Sequence, residues 1–105
     1  MAADLTIQAN KRARGEIMAL LYSVQPIPVE VRTLTNSLLE SNHASVPNIA
    51  QYIDYLSGKG YITVIGEEDA AKILRGVLPP SAFVKLTPAG VDLVEGTTED
   101  PGVDV

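Results

Sequence analysis

Asn48, Gln51 and Tyr55 follow one another at spacings of three and four residues, which places them on one face of a helix. Asn and Gln side chains can form paired hydrogen bonds with the edge of adenine in duplex DNA. A tyrosine hydroxyl can contact a phosphate or sugar oxygen. The same face carries Asp54 and no Lys or Arg. The pattern therefore fits base recognition by a helix, and it also fits an ordinary polar helix surface.

The cations that would contact phosphates lie elsewhere in the chain. Lys59 follows the helix closely, and the other candidates are dispersed in sequence: Arg12, Arg14, Lys72, Arg75 and Lys85. Phosphate contacts supply the sequence-independent part of the affinity of a DNA-binding protein. Either the fold gathers these residues beside the helix, or they are separate charges that solvate the surface.

The formal net charge of −5 is unevenly distributed. All eight Lys and Arg residues lie at or before Lys85, whereas five of the thirteen acidic residues follow Gly90. Residues 1–90 therefore carry eight charges of each sign, and the excess acidity belongs to the C-terminal end. A neutral body lacks the broad positive field of a strong nonspecific DNA binder, but it leaves room for a local basic patch.

Few residues are suited to catalysis or metal binding. The single histidine, His43, has no cysteine to pair with as a nucleophile, and we interpret it as a surface residue in a turn. Glu67, Glu68 and Asp69 are consecutive, and three adjacent carboxylates cannot converge on one metal ion without other ligands. We therefore predict no enzymatic activity, no metal site, no cofactor and no small-molecule substrate.

Length and composition indicate one domain with an aliphatic core. The chain has 105 residues, of which 46% are hydrophobic, with one Phe and no Trp. It contains no cysteine, so nothing marks an oxidising compartment. No apolar run approaches the roughly 18 residues of a membrane span. We expect a soluble, cytoplasmic protein with no membrane partner.

Helical spacing of apolar residues predicts three successive helices, at residues 5–24, 29–41 and 45–56. Pro26 and Pro28 separate the first two helices, and Ile27 between them is expected to make a one-residue strand contact. Ser45 is suited to cap the third helix, and Pro47 fits its first turn.

Two strands are predicted after the third helix. Gly58 and Gly60 mark the end of that helix. β-Branched and aromatic residues then dominate residues 61–65 and 83–87, which indicates two short strands. Three helices followed by a hairpin are typical of an α+β winged helix-turn-helix domain, in which the third helix recognises DNA and the hairpin forms the wing.

The segment between the two strands, residues 66–82, is longer than a hairpin loop requires. Residues 69–77 have a helical pattern, and Pro79 and Pro80 end it. Its apolar side includes three candidate interface residues: Ile73, Leu74 and Val77. We expect this segment to pack either on the domain or on a second copy of the chain.

A short helix is predicted after the second strand, with Thr87 as its cap, Pro88 at its first position and Gly96 at its end. The residues beyond it are polar and have no helical or strand period. We therefore assign residues 1–96 to the domain and interpret residues 97–105 as a mobile acidic tail.

Spaced residues over most of the chain match the pattern of a known family. Those near the C-terminus are Leu86, Thr87, Gly90, Asp92, Gly96, Pro101, Gly102 and Val103. Those around the third helix are Ser45, Ile49, Ile53, Tyr55 and Leu56. This pattern resembles small winged-helix proteins encoded by Mu-like phages and prophages. The resemblance implies a winged-helix fold in the cytoplasm of a bacterial host and DNA binding, which is assigned to that family mainly from its fold.

Two functions therefore remain open. One is a phage-type DNA-binding protein, and hence a candidate transcription regulator, that reads duplex DNA with its third helix. The other is a winged-helix module for protein interaction or dimerisation that does not bind DNA. Tyr52 and Tyr55 suit either function, because tyrosine is enriched in protein interfaces. Both functions are compatible with a homodimer.

Overall fold

The first helix, α1 (Ala2–Val24), buries one face because apolar residues recur along it at helical spacing. Ala13, Ile17, Met18 and Leu21 are each at most 1% exposed. The structure is a computed structural model that describes residues 2–41, 46–77, 79 and 81–105. Within these ranges, the side chains of residues 2–4, 46, 47, 67, 70 and 74 are not described.

The described residues form an α+β fold of five helices and a three-stranded antiparallel sheet, which confirms the predicted class. The elements after α1 are β1 (Val29–Glu30), α2 (Val31–Glu40), α3 (Val46–Gly58), β2 (Ile62–Ile65), α4 (Glu67–Leu74), β3 (Phe83–Leu86) and α5 (Pro88–Val94). None of the described helices combines the length and apolar character needed to cross a membrane.

The strands lie in the order β1-β3-β2, so β3 is central. Val84 of β3 faces Val29 of β1 on one side and Val64 of β2 on the other. This row faces the helices, and Val84 is fully buried. Side chains alternate along a strand, so the next row, which includes Ile65 and Phe83, faces outward, and each of those two side chains is 43% exposed.

The short first strand corrects one sequence prediction. Pairing with β3 falls on Val29 and Glu30, not on Ile27. The Ile27 amide instead donates to the Val24 carbonyl, 3.1 Å away, in the turn that leaves α1. Because Val29 and Glu30 belong to the sheet, α2 begins at Val31, two residues later than predicted.

The end of α3 follows the glycine pattern. Gly60 has a φ of 81°, the left-handed conformation that a residue without a Cβ adopts readily. The Gly60 amide donates to the Ser57 carbonyl and the Tyr61 amide donates to the Leu56 carbonyl, each at 3.0 Å. These bonds satisfy carbonyls at the end of the helix and turn the chain directly into β2.

The segment between β2 and β3 packs on the domain. Its helix α4 lies against α3 and β2, and Ile73 is 3% exposed within the common core. Val77 is 50% exposed. The Leu74 side chain lies outside the described residues. Of the two described members of the predicted interface cluster, only Val77 therefore presents a surface to a partner.

The predicted cap of α5 is confirmed. The Thr87 hydroxyl accepts a hydrogen bond from the Gly90 amide at 3.1 Å, and Pro88 occupies the first turn. Gly96, with a φ of 80°, follows the helix as the sequence indicates.

Residues 97–105, called the C-terminal segment below, fold back onto the domain. Val103 is 3% exposed and belongs to the core cluster. The Asp104 amide donates to the Lys11 carbonyl of α1 at 3.1 Å. The structure therefore differs from the sequence interpretation of a mobile tail beyond residue 96. Two valines among polar residues form too short a pattern to predict burial, so the anchoring of Val103 depends on a distant surface that the local pattern does not reveal.

Candidate nucleic-acid interface

The exposed face of α3 carries the polar residues that the sequence singles out. Ile49 and Ile53 are fully buried on the opposite side of the helix, which fixes its rotation. Asn48, Gln51 and Asp54 are consequently exposed together. The face presents two amides and one carboxylate to a ligand.

Tyr55 lies at the border of this face and contacts α1. The guanidinium carbon of Arg14 lies 3.8 Å from the centroid of the Tyr55 ring, within the range of a cation–π interaction. The Lys59 amine is 5.8 Å from the same centroid. The fold therefore brings Arg14, Tyr55 and Lys59, three of the predicted contact residues, into one cluster.

The C-terminal segment completes this cluster. The Asp100 carboxylate lies 3.1 Å from the Lys59 amine. It also accepts the Tyr61 hydroxyl at 2.6 Å and the Gly102 amide at 2.8 Å. The Asp100 side chain is 9% exposed, whereas that of Lys59 is 44% exposed. Asp100 is thus held by three donors, of which only the ammonium is widely open to solvent.

These contacts shift the proton affinities of all three groups. The Tyr61 hydroxyl, and after it the Gly102 amide, lower the pKa of Asp100 below its ordinary value of 3.8, because both bonds favour the ionised carboxylate. The hydrogen bond to Asp100 raises the pKa of Tyr61 above 10.0. The bond to the same carboxylate raises the pKa of Lys59 above 10.5. Near neutral pH, Asp100 therefore stays ionised, Lys59 stays protonated and Tyr61 stays neutral.

Arg14 links α1 to the C-terminal segment as well as to α3. Its Nη1 atom donates to the Gly102 carbonyl at 3.1 Å. Its Nε atom is buried and has no hydrogen-bond partner among the described residues. Arg14 is half-buried, so its guanidinium serves mainly to hold the segment against Tyr55.

Two glycines permit the close approach of the C-terminal segment. A Cβ added at Gly15, in the middle of α1, would overlap the carbonyl oxygen of Asp104. A Cβ added at Gly102 would overlap the hydroxyl of Tyr55. At Gly15 the obstacle is backbone, so a side chain there would lift the segment from α1, whereas at Gly102 a shift of the Tyr55 side chain would also relieve the overlap.

The other predicted phosphate contacts do not join this cluster. Arg12 is exposed on α1, Arg75 is exposed just after α4, and Lys85 is exposed on the outer face of β3. Lys72 lies 3.9 Å from Glu68, one turn earlier in the same helix. The cations therefore divide into a clustered pair, Arg14 and Lys59, and four separate charges outside the cluster.

Sequence patterns alone do not indicate the partners that the C-terminal segment supplies, Asp100 and Gly102, or the role of Tyr61. One available signal was Gly15, because an isolated glycine inside a strongly helical pattern often marks a close contact. The other was Pro101-Gly102-Val103, which contributed to the family resemblance without being assigned a position in the fold.

A separate groove lies at the opposite end of α1. It has a volume of about 430 Å³ and lies between α1, β3 and α5. Apolar residues dominate its lining, and Gln25 and Lys85 border it. It includes no residue of α3, so it is distinct from the α3 surface.

Some sequence predictions fall beyond what the structure describes. His43 and the capping Ser45 lie outside the described residues, as does the side chain of Pro47. Among the described side chains, no group of three or more His, Cys, Asp or Glu residues is placed to hold a metal ion. The absence of a metal site stays a prediction for the whole chain.

Comparison with known proteins finds no family model, no curated protein and no solved structure that matches this chain. Three features of the structure itself bear on function: the α3 face, the cluster around Asp100 and the outer face of the sheet.

Proposed function

We propose that this protein is a winged-helix DNA-binding protein that places α3 in the major groove of duplex DNA. The order of elements supports this proposal: one strand lies between the first two helices, two strands follow the third, and the last strand is central in the sheet. In proteins of this class the third helix normally contacts base edges. A protein that binds DNA in this way is a candidate transcription regulator, whereas the resemblance to phage winged-helix proteins supports the fold more than a particular role.

The observation that carries the proposal is the composition of the exposed α3 face. Asn48 and Gln51 can each form paired hydrogen bonds with adenine, and Asp54 can accept a hydrogen bond from the amino group of cytosine. Asp54 would repel a phosphate, but a carboxylate facing a base edge is compatible with recognition. The absence of cations from this face fits a surface that contacts bases more than the DNA backbone.

Phosphate contacts would come from the elements beside α3. Arg75 follows α4, which packs against α3, and Arg12 lies on α1 two residues before Arg14. Both are exposed. These contacts would fix the position of the protein on the duplex without carrying sequence information.

Selection from a random duplex library, followed by fluorescence anisotropy at low salt, tests this function. We expect Asn48→Ala or Gln51→Ala to weaken binding to the selected duplex by about tenfold, because a bidentate amide–base pair contributes about 1–3 kcal/mol of discrimination. Binding to random duplex should change little. Gln25→Ala is the matched control, since it removes an exposed amide that borders the remote groove.

Two results would contradict the proposal. The first is the absence of duplex binding by the wild-type protein at low salt, across both random and selected pools. The second is an equal loss of affinity in Gln25→Ala and the two α3 variants, which would show that α3 has no special role.

The second candidate function is a protein-interaction module, and the outer face of the sheet favours it. Ile65 and Phe83 are cross-strand neighbours, and each is 43% exposed. Sedimentation equilibrium would show a wild-type homodimer that Phe83→Ser dissociates, with Thr63→Ser on the same face as control. A wild-type protein that stays monomeric at high concentration would rule out self-association through this face.

A further inference from the structure

The environment of Asp100 resembles that of a bound phosphate oxygen. A phenolic hydroxyl, a lysine ammonium and a backbone amide converge on its carboxylate, at 2.6, 3.1 and 2.8 Å respectively. Proteins use the same donor types to bind the phosphates of DNA. Two of these donors, Tyr61 and Lys59, belong to the chain leaving α3, so they would remain in place if another anion replaced the carboxylate.

This anion position lies beside the surface proposed to contact DNA. Lys59 comes one helical turn after Tyr55, and Tyr55 borders the exposed face that carries Gln51. A helix seated in the major groove has phosphates along its flanks. Lys59 is therefore the cation closest in sequence to the base-reading residues, and Asp100 already holds it.

We propose that Lys59 and Tyr61 form a phosphate subsite that Asp100 occupies in the free protein, so that the C-terminal segment competes with DNA for the α3 surface. The inference rests on the proposed function and adds a regulatory contact to it. The acidic C-terminal segment acts in this way as an internal mimic of the DNA backbone.

Exchange of Lys59 between the two anions does not require the segment to unfold. The Lys59 side chain is 44% exposed, and a lysine ammonium at the end of a flexible stem can reorient toward a new partner. Val103, buried three residues after Asp100, can keep the segment anchored while the Asp100 carboxylate leaves Lys59 and Tyr61 to the phosphate. The competition therefore sets the affinity for DNA without altering the core.

Charge-matched substitutions test this competition. Asp100→Asn and Glu99→Gln each remove one negative charge from adjacent positions, but Glu99 is exposed and only Asp100 contacts Lys59. We expect Asp100→Asn to tighten duplex binding by about fivefold, the scale of one partly exposed ion pair. Glu99→Gln should produce a clearly smaller gain. In a Lys59→Gln background the advantage of Asp100→Asn over Glu99→Gln should disappear.

The anisotropy assay separates the inference from the function on which it rests. Equal gains in Asp100→Asn and Glu99→Gln, or an Asp100→Asn gain that persists without Lys59, would overturn the inference while leaving DNA binding intact. Absence of duplex binding by the wild type and by every variant would overturn both. If Asp100→Asn lowers the melting temperature, Asp100→Ser provides a second variant, because its hydroxyl still accepts from the Gly102 amide, and the same outcomes apply.

Discussion

Gly15→Ala provides a sharp test of how the C-terminal segment packs, because helix propensity and packing predict opposite signs. Glycine in a helix interior is less favourable than alanine by about 1 kcal/mol, so α1 considered alone should be stabilised by the substitution. In the folded protein, the new Cβ would overlap the Asp104 carbonyl oxygen and lie 3.3 Å from the Val105 amide nitrogen. Because these obstacles are backbone atoms, a side-chain rotation cannot relieve the overlap, and the segment has to move.

The expected cost follows from what that movement disrupts. Val103, which is 3% exposed, would lose most of its burial, which contributes roughly 1.5–2 kcal/mol. The hydrogen bond from the Asp104 amide to Lys11 contributes about 1 kcal/mol more. Subtracting the propensity gain of about 1 kcal/mol leaves a net destabilisation of about 1.5–2 kcal/mol. For a domain of this size, that corresponds to a fall in Tm of roughly 6–16 °C.

Thermal and urea unfolding followed by circular dichroism would measure this difference. Gly58→Ala is the matched control, because Gly58 ends α3 and no atom lies within 4 Å of an added Cβ. We expect that control to be neutral or to stabilise by up to about 1 kcal/mol. A Gly15→Ala protein that is as stable as Gly58→Ala would refute the packing of the segment against α1.

Three further predictions concern stability. Val103→Ala should lower the free energy of unfolding in urea by about 1.5–3 kcal/mol. The control Val105→Ala, at a position that is 57% exposed, should change the free energy of unfolding by less than about 0.5 kcal/mol. Folding lowers the pKa of Asp100, so the ionised carboxylate contributes its full stabilisation at any pH above the unfolded pKa of 3.8. That stabilisation is lost as the pH falls through the folded pKa. In acid titrations of unfolding, the stability gap between wild type and Asp100→Asn should therefore close below about pH 3.8. Thr87→Ala should cost about 1 kcal/mol through loss of the α5 cap, measured in the same urea assay, and an unchanged midpoint would contradict the capping role.

Much of the fold could be predicted because it depends on local patterns. Apolar spacing located all three principal helices, and the glycine stop at Gly60 and the Thr87 cap are short-range interactions. The first strand was misplaced by two residues, since pairing with β3 decides its register and β3 lies more than fifty residues later. Local sequence signals therefore fix the elements, while their exact ends depend on tertiary contacts.

Local sequence patterns likewise predicted one part of the candidate site and not the other. The exposure of Asn48 and Gln51 follows from the buried side of α3 alone, and the structure agrees. The partner of Lys59 could not be deduced, because Asp100 lies forty-one residues away in a segment without a periodic pattern. Lys59 and Asp100 come together because Val103 is buried and because Gly15 leaves space on α1. Neither Val103 nor Gly15 indicates this contact without the other.

The position of the acidic segment also changes how the charge of the chain bears on DNA binding. Of the three side-chain carboxylates in this segment, Glu99 and Asp104 are exposed, whereas Asp100 is held against Lys59 and neutralises the cation that directly follows α3. Of the predicted phosphate contacts, Arg12 and Arg75 are exposed beside α3 and belong to no ion pair among the described residues, so the protein should neutralise about two phosphates. Each contributes about −0.9 to the slope of log affinity against log salt concentration, which predicts a slope near −2 for the wild type and near −3 for Asp100→Asn. Identical slopes in anisotropy measurements from about 50 to 200 mM salt would show that removing Asp100 does not give Lys59 to the DNA.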